Sequence, residues 1–501
     1  MFARYKSFSE LVDCIDASID EKKFDAALRL VQDWVEKVIA EPVLTAQVYG
    51  SKELDRRCQR IGLLSYQSMD VLPRGPDYEG TRDCNLYIVT KLQTSGGHAK
   101  VIKDFIAARP DEKHVICSTE LLGPSELGTV NAGLANGELA IFEAAPDGSH
   151  LSRLRWLQGR LNRISPKRIY LFNHHQDSVA VAAVVPEMEI PTTFYHHGDH
   201  HLCLGVFLPG VEHVDPHPMG FCNCRDVLKI DNTFIPLVVA DRGSTRSGFL
   251  DNGRLTTCTA ARWNKIEIPY YVNYLDVVPE LLSRTGGKHI HIGRLTPWAL
   301  YRLRRGLQKH GVNRQQFIYI PWVASVWEAL LEHKVDLYIA SFPYGGGLTL
   351  IEAMGAGVPV ALHRHMYSHI LSGLSLGYPD AFSWHRKREL FEYCEALDSH
   401  ALFAGAKQAR RHYERFHRSE VLSDVLNDSS IAPLLPCVEA DKAFQVDTDE
   451  WAQWLRNNLT FKGLFYQRTF SMLKSIRRNM LGLSAKITLT KSSKKARENL
   501  Q

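Results

Sequence analysis

Two successive series of short, unbroken apolar runs, each followed by a helix-length stretch, constrain this chain more than any other feature. The first series is NLYIVT (85–90), HVICST (114–119), LAIFEA (139–144), RIYLFN (168–173) and TTFYHH (192–197). The second is LTTCTAA (255–261), HIHIG (289–293), FIYI (317–320), DLYIA (336–340) and VPVAL (358–362). Continuous rather than alternating hydrophobicity belongs to strands covered on both faces. Alternation of such strands with helices predicts parallel sheets with crossover helices, an α/β fold. A turn-rich passage near 241–254 separates the series, so the chain divides into halves at 76–245 and 246–450. The cleft at the carboxyl ends of their strands is the expected ligand site. Residues 1–75 read as a helical extension, because LVDCIDASIDEKKFDAALRLVQDWVEKVI sets apolar residues three and four apart and stops before Pro42. The turn-rich VLPRGPDYEGTRD (71–83) predicts a linker, and residues from about 385 to 460 read as helical again.

Composition narrows the class. With 501 residues, 45% hydrophobic and 23% charged, the chain is neither intrinsically disordered nor a small disulfide scaffold. The N-terminus has early acids and no apolar core, which argues against a secretory signal, and no long apolar window suggests a membrane span. The ten scattered cysteines then read as reduced thiols of a cytoplasmic protein. Charge is uneven: residues 461–501 hold ten Lys/Arg against Glu498, a net +9, which leaves −4 on residues 1–460. Together with Trp451, Trp454, Phe461, Phe465, Tyr466 and Phe470, this makes 451–501 a basic amphipathic tail. Such a tail suits an anionic membrane surface, with peripheral attachment at the inner face of the plasma membrane. No nucleic-acid motif accompanies it, so a nucleic-acid partner is not expected.

The stretch DLYIASFPYGGGLTLIEAMGAGVPVAL (336–362) reads as strand, glycine turn, helix and strand. Gly345, Gly346 and Gly347 bring bare backbone to a helix start, where outward amides and the helix dipole favour a diphosphate. Leu348 opens that helix, Thr349 adds a hydroxyl, and Glu352, a turn further on, is placed to accept from two vicinal ribose hydroxyls. Singly, these residues also fit a tight turn followed by a surface acid. Their order is more specific: it resembles the donor loop of the GT-B glycosyltransferases, nearest the peptidoglycan N-acetylglucosaminyltransferase type. That resemblance implies two Rossmann-like domains facing each other across a cleft. It also implies a nucleotide-diphosphate sugar as donor substrate, no cofactor, and donor contacts at Gly345–Thr349 and Glu352. The Glu-x7-Glu pattern of many retaining members would need an acid at 344, where Tyr344 stands, which favours an inverting transfer.

An inverting transfer needs a base for the acceptor hydroxyl. Gly96-Gly97-His98 follows the first strand, and a histidine at a helix start is held neutral by the dipole. The peptidoglycan enzymes have a similar turn, so His98 is the first candidate, with His197 and Asp199 of FYHHGDH next. FNHHQD (172–177) offers His174, His175 and Asp177 at another strand end. The resemblance further implies that Arg262 and Lys265, after the first strand of the second half, meet the diphosphate, with Arg294 as a further contact. Of IPWVASVWEAL (320–330), both Trp322 and Trp327 read as core; His363, Arg364, His365 and His369 are placed near the donor sugar.

His196, His197, Asp199, His200, His201, His213, Asp215, His217, Cys222 and Cys224 are all zinc-ligand types. Their spacing matches no standard zinc pattern, so no metal site is expected. GDHHLCLG is read instead as an acceptor or catalytic loop, with Asp199, His200 and His201 as polar contacts. The acceptor is expected to be a glycan or lipid-linked glycan, with a protein acceptor as an alternative. Two rival functions remain open: a nucleotide-sugar epimerase of GT-B-like fold, and a zinc-dependent hydrolase or binding protein built on 196–224.

Overall fold

The computed structural model describes residues 7–41, 44–69, 83–93, 97–126, 140–251, 253–366, 368–428, 431 and 434–436. The expected linker at 71–83, apart from Asp83, and the whole of the expected tail at 451–501 lie outside these residues. Contacts divide the chain into a body, Met1–Ile268 with Val272–Val446, and a small unit of Pro269–Tyr271 with Asp447–Gln501. The strands, helices and candidate site described below belong to the body.

Seven strands form the first sheet: β1 (Cys84–Val89), β2 (Lys113–Ser118), β3 (Ala140–Ala144), β4 (Arg168–Phe172), β5 (Thr192–Tyr195), β6 (Glu212–Asp215) and β7 (Asn232–Phe234). Six form the second: β8 (Thr256–Ala260), β9 (Lys288–Ile292), β10 (Phe317–Ile320), β11 (Leu337–Ile339), β12 (Val360–His363) and β13 (Phe382–Trp384). The orders are β3-β2-β1-β4-β5-β6-β7 and β10-β9-β8-β11-β12-β13. Every pairing is parallel. In each sheet the first strand lies centrally and the order reverses beside it, which opens a crevice at the carboxyl ends. Ten of these strands fall on the ten expected runs. The additions, β6, β7 and β13, are only four, three and three residues long, and β6 reads Glu-His-Val-Asp, without an apolar run.

Burial on both faces explains the continuous runs. Leu86 and Ile88 of β1 join a core with Leu28, Val31, Leu54, Ile61 and Leu157, while Tyr87 and Val89 join the opposite core with Phe105, Phe172 and Tyr195. The extension forms three helices, Phe8–Asp20, Phe24–Ile39 and Lys52–Gln67. The first two are separated at Lys22, whose φ of 57° no helix accommodates. Gly62 lets the third approach the helix Ser178–Ala183, since a Cβ there would stand 1.9 Å from the Ala182 carbonyl oxygen. Gln59 seals that contact by donating to the Val181 and Val184 carbonyls at 2.7 and 2.8 Å. The extension is therefore built into the core of the first sheet.

The sheets share one core through Ile235, Leu237 and Val239, which pack with Cys258, Leu350 and Tyr413. After the helix Ser399–Phe416, Val239 donates its N–H to the His417 carbonyl at 2.9 Å. The following helix, Ser419–Asn427, reaches back to the first half, where Asn427 donates to the Ala108 carbonyl at 3.1 Å and the Leu426 carbonyl accepts from Arg109 at 3.0 Å. The chain thus crosses back to the first half at Ser419–Asn427. Among the described residues no helix is long and apolar enough to cross a membrane.

Candidate functional site

The glycine loop follows β11. A Cβ on Gly345 would lie 2.6 Å from the Ser372 carbonyl oxygen, so backbone packs against backbone there and only glycine fits. Gly347 caps the helix Leu348–Gly355 without a side-chain bond, leaving the first amides without an intrahelical acceptor. Lys265 reaches over from the loop after β8 and donates to the Gly345 carbonyl at 2.6 Å. Burial brings its ammonium down to about 8. The Thr349 hydroxyl accepts from Tyr338 at 3.1 Å. Glu352 accepts from the Val326 N–H at 3.1 Å through one carboxylate oxygen. Burial pushes its carboxyl up to about 7, against the pull of that bond and of Lys100 and Arg242. Tyr344, where retaining members would carry an acid, is hydrogen-bonded to Thr45 of the extension.

The first half supplies the facing wall. Gly97 opens the helix Gly97–Ala107; Gly96 lies outside the described residues. A Cβ on Gly97 would stand 3.5 Å from Leu348 Cδ1 and 4.0 Å from His197 Cε1, so this turn meets the donor-type loop directly. His98 is buried, its ring 4.7 Å from that of His197 and 4.9 Å from that of His174. Neither of its nitrogens has a well-aligned hydrogen-bond partner. Burial holds His98 well below the usual imidazole range, assisted by its two neighbours, and brings His197 to about 3. Both are neutral at pH 7.

Asp199, another candidate for the base, is paired with two histidines. It is 1% exposed and engaged on both oxygens, by His217 Nδ1 at 2.5 Å and His200 Nδ1 at 3.3 Å. Burial by itself would lower the His217 pKa, but the Asp199 carboxylate outweighs it and raises it. The other nitrogen, Nε2, stands 3.3 Å from where a Cβ on Gly347 would be. An imidazole whose protonated form is favoured by Asp199 thus abuts the start of the glycine-loop helix. The sequence reading held His217 only as a possible metal ligand. Its position after a strand was the missing signal, and β6 is too short and polar to have shown it.

Other candidates disperse. Arg262 and Arg294 sit on adjacent loops after β8 and β9, both exposed. The loops are joined by the Trp263 N–H to the Arg294 carbonyl at 2.8 Å. Asp177 caps the helix Ser178–Ala183, and His175 packs beneath Gly198, where a Cβ would overlap its ring at 2.5 Å. Trp327 is core at 0% exposure, whereas Trp322, expected there too, is 64% exposed. The turn after β10 directs it outward. His363 and His365 are buried. Of the zinc-type residues, His196, His213, Asp215 and Cys224 bring their ligand atoms within 4.8 Å of one another in a buried cluster that does not include Asp199 or His217.

Two parallel-sheet Rossmann domains meeting at their carboxyl ends, with the C-terminal helix returned to the first, define the GT-B class of fold. No protein-family model matches the sequence, and no curated protein matches it. Solved structures do. A glycosyltransferase from Rickettsia africae superposes with a TM-score of 0.55 at 13% identity, over 69% of this chain and 97% of that one. HepE of Anabaena, in complex with UDP and glucose, gives 0.51 at 13% identity, over 70% and 100%. The lipopolysaccharide outer core galactosyltransferase WaaB gives 0.52 at 13%, over 69% and 99%. At such identity the likeness is one of fold.

Proposed function

We propose that this chain is a glycosyltransferase that moves a sugar from a nucleotide-diphosphate sugar to a hydroxyl of a glycan or lipid-linked glycan, with inversion. The observation that supports it most is the meeting of the glycine loop with the histidine wall, Gly97 against Leu348 and Gly347 against His217. Glu352 holds the ribose through its free oxygen, and the amides of Gly346–Thr349 take the diphosphate, since the Gly345 N–H is committed to the Leu371 carbonyl at 2.6 Å. Lys265 and His217 flank it from opposite domains, with Arg262 at the rim, so groups able to carry positive charge meet the leaving group without needing to reorganise. The acceptor O–H gives its proton to His197, backed by His98, as oxygen bonds the anomeric carbon. The bond from that carbon to the diphosphate breaks, and the diphosphate leaves with the electron pair. The negative donor raises both imidazoles back toward the range where they are effective bases. Asp199 positions His217. The basic tail 451–501 brings the cleft to an anionic membrane surface where lipid-linked acceptors are presented.

A thermal-shift panel of nucleoside diphosphates and their sugars tests this, since a ligand of the folded state raises its apparent stability. UDP comes first, because HepE was solved with it. At least one nucleotide should raise Tm, and Glu352→Ala should abolish that rise. Indifference of the wild type to every nucleotide overturns the reading. Turnover of labelled donor to an isomer without acceptor would instead indicate an epimerase.

A further inference from the structure

Behind the cleft wall, His196, His213, Asp215 and Cys224 each direct one ligand atom to a common point, all within 4.8 Å of one another. They are 0, 4, 0 and 1% exposed. His196 Nδ1 lies 2.9 Å from Asp215 Oδ1. Cys224 Sγ lies 3.4 Å from that oxygen and 3.5 Å from His196 Nδ1. His213 Nε2 lies 3.2 Å from Asp215 Oδ2. Donors held tetrahedrally at about 2.0–2.3 Å from zinc stand roughly 3.3–3.7 Å apart, a separation these four atoms reach by small side-chain adjustments.

A second observation points to a ligand. His213 Nε2, though buried and aimed into the cluster, makes no properly aligned hydrogen bond, and neither does its Nδ1. The carboxylate, by contrast, is braced: Asn232 Nδ2 donates to Asp215 Oδ2 at 2.6 Å, the kind of outer support that ligating carboxylates carry. One thiol, two imidazoles and a carboxylate suit a borderline-soft divalent ion rather than magnesium or calcium.

We infer that His196, His213, Asp215 and Cys224 bind one zinc ion, which braces the first-domain wall of the cleft. Four protein donors and near-complete burial leave no open position, so the ion is structural. It ties the end of β5, β6 and the turn Asn223–Val227 into one body. That fixes the loop bearing His217, two residues after Asp215, and the one bearing His197, next to His196. Binding releases the Cys224 thiol proton to solvent. The inference is independent of what the cleft transfers.

The full-length protein, purified without metal-affinity steps, should carry about one zinc per chain by elemental analysis. Stripped protein reconstituted with cobalt(II) should show a thiolate-to-cobalt charge-transfer band, and zinc added to it should raise Tm by several degrees. The band should vanish in Cys224→Ser and persist in Cys222→Ser, whose thiol lies outside the cluster. Stripped wild-type protein that gives neither the band nor the Tm rise overturns the proposal, as does an unchanged band in Cys224→Ser. Failure of every nucleotide to bind would count against the transferase reading and leave this one standing.

Discussion

Glu352 carries a pH-dependent cost. Its carboxyl titrates near 7 in the folded chain against an ordinary 4.5, because burial disfavours the charged form. Between those values the native state binds more protons than the unfolded one, so this residue's contribution to stability is full below 4.5 and is lost as pH rises through 7. Glu352→Gln should therefore stabilise the ligand-free protein at pH 8 by about 1–2 kcal/mol, allowing for partial exposure, and do little at pH 4. Denaturant unfolding at the two pH values measures this; an equal effect at both would refute the assignment. A residue that destabilises the empty protein is what a site kept for a ligand looks like. The acid itself was legible from its place in the loop, whereas its cost was not, since that comes from its burial in the folded chain.

At the scale of the element, the glycine loop was the most legible part of the site, because strand, glycines and helix are adjacent in sequence. What the sequence left open is which glycine is obligatory. Gly345 opposes the Ser372 backbone at 2.6 Å, while Gly346 opposes the Thr349 hydroxyl at 2.5 Å, a group that can swing aside. Gly345→Ala should cost about 1–3 kcal/mol through overpacking and weaken nucleotide binding, with Gly346→Ala milder on both counts. Comparing the two by thermal unfolding and nucleotide titration decides; equal effects would remove the backbone-collision argument. The histidine wall is the opposite case. Its members come from strand ends 99 positions apart, at His98 and His197, and from His217 after a strand whose sequence is half charged. β6 escapes a hydrophobicity reading because its buried polar groups are matched by others brought in from β5, β7 and the turn after it.

For the whole molecule, the total of +5 conceals a mildly acidic body and a tail of net +9. Removing 461–501 should leave transfer to a soluble acceptor unchanged while binding to anionic vesicles falls at least tenfold, as sedimentation would show; undiminished vesicle binding would end the anchoring proposal. The sequence by itself determined the fold class. Strands covered on both faces must be apolar along their length, so two runs of such strands announce two parallel sheets wherever they occur. It also marked the donor-type loop, whose parts are contiguous. Tertiary structure alone decided the rest: that Asp199 is paired with His217 and His200, and that the extension belongs to the first core. It also decided that His196, His213, Asp215 and Cys224 share one point. The reason is physical. Apolar burial is written residue by residue in local periodicity, but the charge and proton state of a buried group depend on partners that only chain closure brings within a few ångströms.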